Sequence, residues 1–201
     1  MSFIKYNFRT ALLLLFITAI AVIRVILNFN HDISPLANFS PLGAMALFGG
    51  AYFNKQWKAF LFPLLMLFLS DVILHQTVFK QYSDGILYGG WYWVYGAFAL
   101  ITLAGRWLLK KVTIKSFLIS VLVAVAIHWI VSDIGVWYNS KIFSQDINGF
   151  IECLIVAIPY EWRFLSGTII YGVVLFGVFE WMQRNSKLRT AINQSPDYLS
   201  S

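Results

Sequence analysis

The chain is poor in the residues that most folds lean on. It holds one cysteine, Cys153, in 201 residues, so no internal disulfide framework can form. Charged residues make up 12%, about half of the roughly 25% usual in a soluble domain. A water-soluble globule, a disordered segment and a secreted disulfide scaffold are excluded on these grounds. No Gly-x-x-x-x-Gly-Lys-Ser/Thr loop is present, so the chain cannot draw on ATP by itself. No Gly-x-Ser-x-Gly elbow, clustered carboxylates or tight metal-ligand spacing occurs either. No low-complexity linker divides the chain, which reads as one domain.

What is abundant is apolar: 59% of residues are hydrophobic and 18% aromatic. A membrane-crossing helix needs about 20 mostly apolar residues. Such stretches occur at about 10–28, 36–53, 57–74, 90–109, 116–137 and 164–182. The second is short, with Pro41 as a first-turn proline and Ser40 or Asn38 as cap. The first sits where a signal peptide would. Arg24 interrupts it and no small-x-small pattern surrounds Asn28, so it is expected to be a retained helix. A shorter apolar segment, 147–158, precedes Pro159 and reads as a short outer helix. These segments form one transmembrane domain, 1–183, and 184–201 is a polar cytoplasmic tail.

The positive charges set the orientation. With six spans, one side collects Lys5, Arg9, Lys55, Lys58, Arg106, Lys110, Lys111, Lys115, Arg184, Lys187 and Arg189. The other holds only Lys80, Lys141 and Arg163, a split of eleven against three that places both termini in the cytoplasm. The net charge of +6 is thus spread over short inner loops, which excludes nucleic acid as partner. The expected fold class is an all-α, multi-pass protein of the cell (inner) membrane.

Polar residues within the spans are costly and normally face the bundle interior or a cavity. Arg24, Asn38, Asp71, His75, His128, Ser132 and Asp133 all fall in the outer halves of their spans under this topology. Asp71 and His75 share a helix face, as do His128 and Ser132. The pattern describes a cavity open to the outside over an apolar floor. Arg24 and the inward-running helix N-termini suit an anionic group, whereas Asp71, Asp133 and the histidines suit donors or a cationic group. Alternatively, Arg24 pairs with Asp71 or Asp133 only to neutralise itself. Among the aromatics of the outer interface, which an interfacial belt accounts for in the main, Trp91 and Tyr95 share a face suited to stacking on a flat ligand, and Trp137 closes the fifth span. Glu161, Glu152 and Asp146 read as outer-loop acids. The pairs Ala46/Gly50 and Thr168/Gly172 have the spacing of close helix packing.

The stretch from Asn38-Phe39-Ser40-Pro41-Leu42-Gly43-Ala44-Met45 to Tyr52-Phe53, with Leu69-Ser70-Asp71, Gly135-Val136-Trp137 and the block from Gly149 to Gly177, resembles an uncharacterised bacterial family of transport membrane proteins. That family is similar to the substrate-binding S components of energy-coupling factor (ECF) transporters. The resemblance implies a six-helix bundle that captures a vitamin-like micronutrient from outside. It also implies a separate membrane coupling subunit and paired ATPases as partners, with no cofactor. Span 1 has no Ala-x-x-x-Ala, which such bundles use for docking, so no docking residue is assigned. The expected function is therefore solute binding without catalysis. An intramembrane enzyme using His128, Ser132 and Asp133, or an accessory scaffold without a ligand, are the alternatives.

Overall fold

A computed structural model describes Thr18, Val22 and residues 39–53, 55–77, 86–138 and 140–194. Of the expected first span, 10–28, Thr18 and Val22 alone fall among these; Arg24 and the cap residue Asn38 lie outside them. The described residues form five α-helices and no strand: α1 Leu42–Tyr52, α2 Gln56–Thr77, α3 Trp91–Leu108, α4 Ile114–Trp137 and α5 Ile147–Gln194.

The boundaries follow local chemistry. Gly90 takes the left-handed backbone (φ 75°) before α3, where a side chain would be strained. Thr113 and Ser116 form a reciprocal capping box at the start of α4. Asp146 accepts from the Gly149 N–H at 2.8 Å and opens α5.

Each long helix buries one stripe. In α2 it runs Ala59, Pro63, Leu67, Asp71, Leu74, and in α4 Phe117, Val121, Ala124 and then Ser132. In α5 it runs Cys153, Glu161, Phe164, Thr168, Gly172, Leu175 and Phe179. The opposite faces expose large apolar side chains, among them Leu61, Leu65, Leu69, Leu122, Ile155 and Val174. Three helices, Gln56–Thr77, Ile114–Trp137 and Ile147–Asn185, are long and apolar enough to cross a membrane. With apolar outer faces, they have the character of an integral membrane protein.

Helix α1 is different. All its residues but Ala51 are buried, and it packs against α2, α3, α4 and α5. At ~1.5 Å per residue its 11 residues reach about 16 Å, too short for a ~30 Å hydrocarbon layer. The apolar run at 36–53 is thus a central half-length helix within the described residues. Its approach to α3 depends on glycine. A Cβ on Gly50 would meet the Thr102 carbonyl oxygen, and 2.7 Å away the Arg106 nitrogen; a Cβ on Gly105 would meet the Leu47 backbone. The Ala46/Gly50 and Thr168/Gly172 pairs accordingly pack inside the bundle: Ala46 and Thr168 are fully buried, and Gly172 abuts Phe117.

One expectation is corrected outright. The short outer helix 147–158 and the span 164–182 are a single helix, which passes through Pro159 and continues to Gln194 inside the expected tail. Proline removes one backbone donor, but Ala157-Ile158-Pro159-Tyr160-Glu161 contains no glycine, serine or asparagine to offer a competing turn. Pro63 is carried inside α2 in the same way.

Candidate functional site: a polar cavity at one end of the bundle

The bundle has two unlike ends. At one, Phe48, Tyr52, Phe117, Phe176 and Phe179 form a continuous aromatic cluster with centroids 4.3–5.6 Å apart. The edge of this cluster is polar, where the Tyr52 hydroxyl donates to Glu180 Oε1 at 2.6 Å.

At the other end lies a cavity of about 400 Å³. Each wall comes from a different element. The chain entering α1 supplies Phe39, Ser40 and Leu42, α2 supplies Asp71 and His75, and α4 supplies His128, Ser132 and Asp133. Helix α5 supplies Cys153, Tyr160, Glu161 and Phe164. The N-terminus of the half-length helix therefore borders the cavity, with Ser40 Oγ accepting the Leu42 N–H at 3.2 Å.

Four of the sequence-predicted site residues meet here: Asp71, His75, His128 and Asp133. Tyr95 stands behind Asp71, its hydroxyl donating to Oδ2 at 3.1 Å. Trp91 packs edge-on against Tyr95 at 5.1 Å and is 41% exposed, so it does not line the cavity. Trp137 does not line it either: its indole N–H donates to the Ser144 carbonyl at 2.8 Å and its ring rests on Phe150. Arg24 and Asn38 lie outside the described residues.

The residue that sequence reasoning misplaced is Glu161. It is 7% exposed and sits within α5, not in an outer loop. Its Oε1 lies 2.7 Å from His128 Nδ1, within hydrogen-bond reach. The imidazole stacks on Phe164 at 4.1 Å and meets the edge of Phe98. His128 is thus locked by one carboxylate and two rings. Eight residues up α5, Cys153 faces the same cavity, its Sγ 3.8 Å from the Asp133 carbonyl. The signal that finds Glu161 is helical phase: carried through Pro159, the stripe from Cys153 by way of Ala157 arrives at Glu161.

Satisfaction is incomplete. Asp133 Oδ2, Glu161 Oε2 and Ser132 Oγ are buried without a hydrogen-bond partner among the described residues. Among the described residues the lining includes three carboxylates, two histidines and no lysine or arginine. No group of three or more His, Cys, Asp and Glu poised to hold a metal ion is found among them. A wall of buried acceptors beside aromatic faces suits a bound small molecule that donates hydrogen bonds.

A family model matches residues 4–191, that of DUF6580, a family of unknown function. No curated protein and no solved structure matches the chain.

Proposed function

The chain belongs to the DUF6580 family, and we propose that it is a solute-binding membrane protein that captures a small micronutrient-like molecule in the cavity between α2, α4 and α5. One observation carries this reading. A space of about 400 Å³, within the ~300–1,000 Å³ of ligand sites, is walled by buried polar atoms that no described residue satisfies. Polar groups of this kind in a membrane bundle normally serve a pathway or ligand.

The finer arrangement is part of the proposal. Segment 10–28 is the first of six helices, both termini face the cytoplasm, and the cavity opens outward over the aromatic floor. The resemblance to ECF S components extends this to uptake across the cell membrane with a coupling subunit and ATPases. Titration of the purified chain in nanodiscs with a panel of vitamins and their precursors tests the reading. Saturable binding without turnover supports it, and the absence of binding by every member overturns it.

One observation favours a second reading, an intramembrane enzyme. The His128–Glu161 pair is the base-and-orienter half of a nucleophilic triad. The other half is missing among the described residues, because Ser132 Oγ bonds to nothing there, His128 included. Turnover of any panel member decides for this reading.

A further inference from the structure

The described wall of the cavity holds three carboxylates and no lysine or arginine. Asp133 and Glu161 are each more than nine-tenths buried, line the cavity, and keep one oxygen without a partner among the described residues. His128 Nδ1 is already engaged by the other oxygen of Glu161 and does not answer either orphan. A buried carboxylate oxygen without a protein partner is best answered by a donor carrying positive charge. The neighbouring walls include the aromatic side chains Phe98 and Phe143, and aromatic faces attract cations once water is excluded.

We infer that the solute is a small organic cation bearing N–H donors, such as a protonated amine or an amidinium, whose charged nitrogen docks against Asp133 Oδ2 and Glu161 Oε2. This rests on the solute-binding reading and gives it a substrate class. Of the two ligand classes that the sequence leaves open, it takes the cationic one on the carboxylates over an anionic group on Arg24. Charge complementarity is the reason: each buried acceptor gains a charge-assisted hydrogen bond, and the aromatic walls hold the ligand's body.

The experiment uses the full chain in nanodiscs and a set of small aromatic heterocycles matched in size, each carrying an aminomethyl, trimethylammonio-methyl, hydroxymethyl or carboxyl group. Binding is read by calorimetry. The aminomethyl members should bind saturably and at least about tenfold more tightly than the hydroxymethyl and carboxyl members. The trimethylammonio members, which keep the charge and lose the N–H donors, should fall between. Asp133→Asn should weaken the aminomethyl series about tenfold, and Glu161→Gln likewise, with little effect on the hydroxymethyl series. Where a variant does not fold, the ranking of the four series on the unmodified chain carries the test. Tighter binding of the carboxyl series overturns the inference and leaves solute binding intact. Equal binding of all four, or binding indifferent to Asp133→Asn and Glu161→Gln in folded protein, overturns it too. Binding that sodium or magnesium chloride alone abolishes at matched ionic strength assigns the carboxylates to an inorganic ion and overturns it. Binding by none of the four series or of the vitamin panel defeats the solute-binding reading itself.

Discussion

Glu161 Oε1 lies 2.7 Å from His128 Nδ1, joining two helices across 33 positions of sequence. Both residues are largely buried and the pair is a polar link between α4 and α5 at cavity depth. Glu161→Ala leaves the His128 nitrogen without its partner in that wall and should cost about 1–3 kcal/mol of stability. Glu161→Gln retains an acceptor and should cost less. Thermal unfolding in detergent checks the order; equal melting temperatures for the two variants would show that the pair does not hold the helices.

The approach of α1 to α3 gives a second test. Gly50→Ala places a methyl on the Thr102 carbonyl and the Arg106 nitrogen, both backbone atoms that cannot swing aside. Overpacking of this kind costs about 1–3 kcal/mol, and Gly105→Ala should behave alike against Leu47. Gly96 and Gly177 have nothing within 4 Å of a built Cβ. Gly96→Ala and Gly177→Ala should be neutral or stabilising by about 0.5–1 kcal/mol, since alanine loses less backbone freedom in a helix. Size-exclusion profiles and melting temperatures of the four variants separate the two classes.

The fold was legible where apolar runs end in clear stops. The expected stretches 57–74, 90–109 and 116–137 lie within a few residues of Gln56–Thr77, Trp91–Leu108 and Ile114–Trp137, because Gly90 and the Thr113–Ser116 capping box leave little choice. The site was legible where a charged residue falls inside such a run, as Asp71 and Asp133 do. It was illegible where a proline suggested an end. Reading Pro159 as a break put Glu161 in a loop and hid the partner of His128. Aromatic positions failed for another reason. Trp91 and Tyr95 share a face, so helical phase carries no preference between Tyr95, which bonds to Asp71, and Trp91, which stands one turn nearer the helix end and is exposed.

Asp146 supplies the pH dependence. The Gly149 N–H and then the Ser144 hydroxyl donate to it and hold its carboxyl below the usual 3.8. A carboxylate lowered on folding adds stability above its unfolded value and loses it as pH falls through the folded one. The first turn of α5 should therefore be protected at neutral pH and fray below about pH 4. Amide hydrogen exchange of residues 147–150 measures this. In Asp146→Asn the cap acceptor remains, so the turn should stay formed while its acid sensitivity disappears. Asp146→Ala should fray at every pH. Acid-induced fraying that persists in Asp146→Asn would mean another group controls it.

Cys153 reports on the cavity without any engineering. It is the only cysteine of the chain and it lines the space beside Asp133. With three carboxylates in that lining, a positively charged methanethiosulfonate reagent should be concentrated at the thiol and a negatively charged one of similar size repelled. The expected outcome, read by mass spectrometry of protein in sealed vesicles, is faster labelling by the cationic reagent when added from outside. Raising ionic strength should narrow the difference, as screening requires. A bound amine should slow both reagents by occupying the space. Labelling that occurs only after denaturation would show a cavity closed to solvent. Faster labelling by the anionic reagent would show that the potential inside has the opposite sign, and with it that residues beyond the described carboxylates govern what the cavity admits.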